Sequence, residues 1–187
     1  MTQTFDVFIA GAGTAGIAAA GFAARRGAKV LLVDGAERIG GTLFISGGNM
    51  SAGGTRLQRQ RGINDSAEDH FQDIMRISKN TADPAIARLA VAHAADTIHW
   101  LLDIGLELLP DMPVITYGHE PYSVPRTYWG PELGVSILKT LSPWLQQSIA
   151  SGAVDLRLRT KLVGLRQDRE RNVVGAVING PDGSIAT

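Results

Sequence analysis

The sequence predicts an α/β domain with a parallel central sheet, flanking helices and a β-hairpin near its C-terminus. Three observations carry that prediction. Val7-Phe8-Ile9-Ala10 is a short apolar run of the kind buried in a parallel sheet, and it ends in Gly11-Ala12-Gly13-Thr14-Ala15-Gly16. Small residues continue from those glycines to Ala24 as a helix, which Gly27 stops after Arg25 and Arg26, two cations at the negative end of the helix dipole. A second apolar run, Val30-Leu31-Leu32-Val33, then ends in Asp34.

Each residue of the glycine stretch has a physical task. Gly11 allows a tight turn off the strand, Gly13 lets the backbone approach a pyrophosphate, and Gly16 lets the helix pack close to the strand. Backbone N–H groups of Ala12, Gly13, Thr14, Ala15 and Gly16 at the helix start, with the positive end of the dipole, suit a phosphate. Asp34 follows Gly16 by 18 residues, close to the roughly 20 expected of an acid that takes the ribose hydroxyls of a dinucleotide. Strand, helix, strand and acid in this order define a Rossmann-type nucleotide-binding unit.

Composition narrows the class. The 187 residues suffice for one domain with a real core, and a hydrophobic content of 44% excludes a disordered chain. Lys plus Arg (18) balance Asp plus Glu (18), so no electrostatic footprint for nucleic acid is present, and Arg56, Arg59 and Arg61 read as a solvated loop face. The absence of cysteine excludes a disulfide framework, a thiolate metal site and a cysteine nucleophile, and fits a reducing compartment. No window offers the ~20 consecutive apolar residues of a membrane helix, and no leader pattern precedes the first strand. A soluble, cytoplasmic protein with a small-molecule substrate is the expectation.

A second glycine-rich segment follows Asp34 and Gly35: Gly40-Gly41-Thr42, then Ser46-Gly47-Gly48 and on to Gly53-Gly54. A nicotinamide-binding unit has no need of it. A flavin nucleotide is long, and small residues with free backbone N–H groups along its path are useful.

At these residues the chain resembles the FAD-binding domain of the fumarate reductase and succinate dehydrogenase flavoprotein superfamily, which includes 3-ketosteroid Δ1-dehydrogenases. The resemblance implies that Gly40, Gly41, Thr42, Ser46, Gly47 and Gly48 lie along the FAD pyrophosphate, ribityl chain and flavin ring. It also implies that Leu162, after Arg159-Thr160-Lys161, reaches the adenine. The family more often has Glu at the place of Asp34. Members with covalent FAD carry a His in the segment of Gly41 and Thr42, whereas the first His here is His70, so the FAD is expected to be non-covalent. The activity implied is hydride transfer at flavin N5, making or reducing a C=C bond next to a carboxylate or carbonyl.

Further along, residues 64–80 read as a helix capped by Ser66, and Asp83-Pro84 opens another that Gly105 stops. The resemblance implies that a short strand, Leu106–Leu109, follows these helices. His93 and His99 do not share a metal-binding face, and no metal site is proposed. Between Pro110 and Pro131 lie five prolines with Tyr117, His119, Tyr122, Arg126, Tyr128 and Trp129. Two readings fit this loop. Its aromatics pack on the domain, or it supplies the active site, with Arg126 for a substrate carboxylate and Tyr117 or His119 for a proton or hydrogen bond. Residues 134–151 read as a helix that Pro143 kinks or restarts. Val154–Leu158 alternates like a strand, and 162–167 with 173–178 reads as a hairpin.

The resemblance covers residues 1–187 as one FAD-binding domain but only the first part of the family's pattern. The expectation is an N-terminal portion without the cap domain and without the later FAD-contacting part. On that view the chain by itself holds FAD weakly or self-associates, because the sheet lacks a strand. An NAD-dependent dehydrogenase and a non-catalytic FAD-binding module are the alternatives.

Overall fold

The computed structural model describes residues 3–117, 121–181 and 185–186, the last pair as backbone only. In chain order the elements are β1 (Val7–Ala10), α1 (Thr14–Arg25), β2 (Val30–Val33), a 3-10 turn (Gly41–Phe44), β3 (Met50–Ser51), α2 (Arg56–Gln60), α3 (Ala67–Ile77), α4 (Pro84–Asp103), β4 (Thr127–Tyr128), α5 (Gly134–Ala150), β5 (Val154–Arg157), β6 (Lys161–Gln167), β7 (Val173–Asn179) and β8 (Ile185–Ala186). They divide between two compact units, residues 1–44 with 141–187, and residues 45–140.

The first unit holds the predicted parallel sheet, in the order β1-β2-β5. Val7 pairs with Val30, and Val30 with Val154. All four residues of β2 are buried, as the unbroken apolar run requires of a central strand. Helix α1 buries Ile17, Ala20 and Gly21 and ends at Arg25, with Gly27 in the left-handed region beyond it. The later turns of α5 contribute Leu141, Trp144 and Leu145 to the same core. The predicted hairpin is β6 paired antiparallel to β7, with β8 added to β7. Its turn is held by Asp168 Oδ1, which accepts the N–H groups of Glu170 and Asn172, both at 2.9 Å.

The second unit is helical apart from one short antiparallel pair, β3 with β4. Ser66 and Asp83 cap α3 and α4 as read from the sequence, and Pro84 opens α4. The two helices meet through Phe71, Ala87 and Val91. A second cluster gathers Ala52, Ile98, Met112 and Tyr128. Among the described residues, no helix is long and apolar enough to cross a membrane.

Three local readings change. Leu106–Leu109 is not a strand: the Leu106 N–H turns back to the Leu101 carbonyl at 2.8 Å, the Leu109 N–H donates to the Trp129 carbonyl at 3.0 Å, and Leu106 is buried. Pro143 does not restart α5, which runs unbroken from Gly134 to Ala150. Pro143 and Lys139 are both exposed, so the hydrogen bond lost to the proline falls on the exposed face of the helix. Burial of Ile137, Leu138, Leu141, Trp144 and Leu145 continues across the proline. Arg56 and Arg59 lie on a helix, α2, because Thr55 and Gln58 form a reciprocal capping box.

Gly21 of α1 is the tightest point against α5. A Cβ there would lie 1.9 Å from Trp144 Cζ3, and the ring is also contacted by Phe22, with centroids 5.1 Å apart, and by the Arg25 guanidinium at 4.8 Å. Gly21→Ala therefore lowers stability by about 1–3 kcal/mol through overpacking. Chemical denaturation followed by tryptophan fluorescence measures it, and an unchanged midpoint contradicts this packing.

Candidate cofactor site

In the first unit the glycine turn is built as its sequence demands. Gly11 has φ +107 and donates its N–H to the Val33 carbonyl at 2.8 Å, which ties the end of β1 to the end of β2. Gly13 is the N-cap of α1 and offers no side-chain acceptor, and the first turn contains no acidic residue. The helix therefore begins with backbone donors that no side-chain cap occupies. A Cβ on Gly16 would sit 1.8 Å from the Gly11 carbonyl oxygen, so helix and strand meet only through glycine. Nothing lies within 4 Å of a Cβ on Gly11 or Gly13, which leaves open space on that side of the turn. Thr14 and Ala15 are exposed beside it.

Asp34 reaches this turn. Its Oδ2 accepts the Ala12 N–H at 2.6 Å, and its Oδ1 accepts the Ala36 N–H at 2.7 Å. Gly40 donates to the Ala12 carbonyl at 2.8 Å, and a Cβ on Gly41 would approach Gly13 Cα to 3.4 Å. Gly41 and Thr42 are exposed in the 3-10 turn that follows. The Lys161 side chain lies against Gly35. Thr160 N–H donates to the Asp34 carbonyl at 2.8 Å, which brings β6 and the half-exposed Leu162 beside the acid. The sequence-predicted residues of this unit are thus gathered in one place. Unclaimed donors, open space at the turn and a carboxylate at its edge fit a dinucleotide.

In the second unit, Ser46 accepts from the Gly134 N–H at 3.2 Å, and Gly48, at φ +61, lies against the start of α5. A Cβ on Gly48 would be 2.4 Å from the Leu133 carbonyl carbon. Gly47 between them is exposed. Tyr117 is 81% exposed, and His119 lies outside the described residues. Arg126 is fully buried, and the guanidinium offered above to a substrate carboxylate is taken by two carboxylates of the chain itself.

That buried cluster escaped sequence reading. Asp65 takes Arg126 in a two-pronged pair, Nη2 to Oδ1 at 2.6 Å and Nε to Oδ2 at 2.7 Å, and also accepts from Gln58 Nε2 at 2.7 Å. Asp73 Oδ2 accepts from Arg126 Nη1 and from the Ser123 N–H and hydroxyl, both at 2.7 Å, while its Oδ1 accepts from Arg76. Burial pushes the Asp73 carboxyl up, but the bonds from the Ser123 backbone, Arg76, the Ser123 hydroxyl and Arg126 together hold it well below the usual carboxylate range. Tyr128 and Thr55 share a hydrogen bond of 2.6 Å between their hydroxyl oxygens, and burial raises the Tyr128 phenol to about 12. Only the Thr55-x-x-Gln58 capping box was a local signal here. The carboxylate partners of Arg126 lie 61 and 53 residues away in sequence.

His70 stands beside this cluster, 3% exposed, its ring edge-on to Tyr122 at 5.3 Å. Neither ring nitrogen has a hydrogen-bond partner. Burial first, then the Arg126 charge, pull its pKa down to about 4, against the opposing carboxylates of Asp65 and Asp73.

The sequence model of the FAD binding domain family matches residues 6–186. The chain belongs to that family, and its cofactor is FAD. It is 32% identical to a probable fumarate reductase of Shewanella frigidimarina (strain NCIMB 400), over 96% of this chain and 29% of that protein. It is 34% identical to an NADH:fumarate oxidoreductase of Klebsiella pneumoniae (strain 342), over 86% of this chain and 17% of that protein. The open conformation of a flavocytochrome c3 fumarate reductase superposes with a TM-score of 0.82 at 31% identity, covering 98% of this chain and 32% of that one. The chain thus spans under a third of the length of each of these relatives. A 3-ketosteroid-delta4-(5alpha)-dehydrogenase from Rhodococcus jostii RHA1, at 24% identity and a TM-score of 0.82, shares the fold.

His70 gives a pH dependence with a definite sign. Its folded pKa lies below the ordinary 6.5, so between pH 6.5 and about 4 the unfolded chain binds a proton that the folded chain does not. Stability therefore falls as pH drops through that window, and the loss linked to Asp73 comes only below the usual carboxylate pKa. Melting temperatures across pH 7 to 4 show the first loss in the native chain, and His70→Leu flattens it. An equal slope in the variant assigns the loss elsewhere.

Proposed function

We propose that residues 1–187 form the FAD-binding portion of a flavin-dependent oxidoreductase. It reduces or forms a C=C bond next to a carboxylate or carbonyl of a small molecule. The observation that carries this reading is the junction of the glycine turn with Asp34 through Ala12, beside a helix start with no side-chain cap. Membership of the FAD binding domain family and likeness to two proteins named as fumarate reductases support it.

In this reading the N–H groups of Gly13 to Gly16 hold the pyrophosphate, helped by Gly40, Gly41 and Thr42, whereas the Ala12 N–H, expected from the sequence to join them, is taken by Asp34. The Asp34 oxygens each accept one backbone N–H and keep lone pairs for the ribose hydroxyls. Gly35 and Leu162 border the adenosine half. Ser46, Gly47 and Gly48 border the ribityl chain and flavin ring. Bound FAD supplies hydride transfer at its N5, and the chain binds and orients it. Attachment is non-covalent in this proposal, because segment 40–54 has no histidine and His70 is buried. Tyr117 is exposed and, with His119, remains a candidate for a proton or hydrogen bond to substrate. The buried ion pairs of Arg126 favour a structural task for that residue. The absence of cysteine fits a reducing compartment, and the cytoplasm is the location we propose.

The test is the visible spectrum of the purified chain mixed with FAD and passed through gel filtration. Weakly held FAD gives a partial co-elution that grows with the FAD concentration loaded, and Asp34→Ala weakens FAD binding at least about tenfold. Equal FAD affinity in Asp34→Ala contradicts the role given to the acid. For the activity, the polypeptide carrying this chain, once its flavin is reduced by a dye, is expected to reoxidise on addition of an α,β-unsaturated carboxylate or ketone. No reoxidation by either class overturns the proposed reaction.

A further inference from the structure

We propose that Arg126, with Asp65 and Asp73, is a positioning residue for segment 46–54, and through it for the flavin; this rests on the reading of that segment given above. The segment is held at both ends. At its start, Ser46 accepts from Gly134, and Gly48 is pressed against Leu133 and Gly134. At its end, β3 pairs with β4 in the register Met50 to Tyr128 and Ser51 to Thr127, and the Ala52 N–H donates to the Arg126 carbonyl at 3.1 Å. Arg126 thus receives the glycine segment on its main chain while its side chain is clamped by two carboxylates.

Gly53 extends the contact. A Cβ there would meet the Ser66 carbonyl oxygen at 2.5 Å, Asp65 Oδ2 at 3.0 Å and His70 Cβ at 3.1 Å. The segment's backbone therefore rests directly on the residue that clamps Arg126. Gln58 closes the arrangement: its Nε2 donates to Asp65 Oδ2 at 2.7 Å and to the Pro125 carbonyl at 2.8 Å, and its Oε1 accepts the Thr55 N–H at 3.0 Å. The cluster holds the residue before Arg126 and the residue after Gly54 by one side chain.

The physical case for a positioning task is the cost of the alternative. A buried ion pair is weak evidence for stability, since apolar residues of the same volume do as well or better. What a clamped guanidinium supplies is direction, because its planar fork fixes two carboxylates in one geometry, which Lys does not. A cofactor-lining loop of glycines has few side chains of its own to fix it, so its position is set by what its backbone touches. Here that is Arg126 and Asp65.

The experiment compares the full chain with Arg126→Lys, Asp73→Asn and a core control, Val91→Ala, which lowers stability at the contact of α3 with α4, away from segment 46–54. Hydrogen exchange of the apo chain is read peptide by peptide, and FAD affinity by the flavin spectrum. Expected in Arg126→Lys is a loss of protection over 46–54 of about tenfold or more, with residues 7–33 unchanged. Asp73→Asn, which keeps the two-pronged Asp65 pair, gives a smaller loss in the same segment. FAD affinity falls in the same order, with a changed shape of the long-wavelength flavin band, and Val91→Ala leaves that band as it was. The inference is overturned if Arg126→Lys lowers the melting temperature while exchange over 46–54 and the flavin band match the control. If exchange over 46–54 rises yet FAD affinity and spectrum stay native, the cluster positions the segment but the segment does not line the flavin, and the earlier reading is the one that fails. Should Arg126→Lys not fold, Asp73→Asn alone decides by the same two readouts.

Discussion

The carbonyl of Gly11 occupies the space that any side chain at position 16 would need. That one steric constraint brings α1 onto β1 and aims the start of the helix at the end of the strand. The rest of the first unit follows from it. With the turn so tight, the Gly11 N–H reaches Val33 and the Ala12 N–H reaches the Asp34 carboxylate, so β2 ends where β1 ends. Asp34 then ties in the later chain, because its carbonyl accepts from Thr160 and its neighbour Ala36 accepts from Arg159. An acid able to meet a ribose and a helix start able to meet phosphates are consequences of the same close approach.

The second unit depends on a different kind of constraint, a charge that cannot leave. Arg126 is fully buried and would be prohibitively costly there without Asp65 and Asp73, which surround it with paired oxygens. Once the three are together, the segments that carry them are fixed too: the turn before α3, the middle of α3, and the residue that leads into β4. The neutral His70 fits the same picture, since a further cation beside Arg126 would be disfavoured. Tyr128 and Thr55 complete the buried polar set with a bond between their hydroxyls.

Local chemistry of the first unit was legible because its instructions are short-range. An apolar run of four, glycines at fixed offsets and an acid at the end of the next strand all act within about thirty residues, and the structure places them as read. Caps at Ser66 and Asp83 and the hairpin turn at Asp168 were readable for the same reason. The misreadings fall where a long-range contact outweighed a local signal. Pro143 signals a kink or a restart, and the restart does not occur because the apolar face of α5 continues across it. The apolar Leu106–Leu109 signals a strand, yet the Leu106 N–H turns back to Leu101 at the end of α4 and the segment forms no strand.

By itself the sequence determined the elements of the first βαβ unit, its glycine turn and the place of the acid beside it, since each rests on backbone conformation and spacing within that unit. Only the tertiary structure decided the fate of the polar residues between Thr55 and Tyr128. Arg126 in a proline-rich loop reads as readily as a substrate contact as a core residue, because a charge carries no periodicity that reveals its burial. Its partners stand 61 and 53 residues away, and their pairing is a property of the fold that brings α3 and β4 together, not of any stretch of chain.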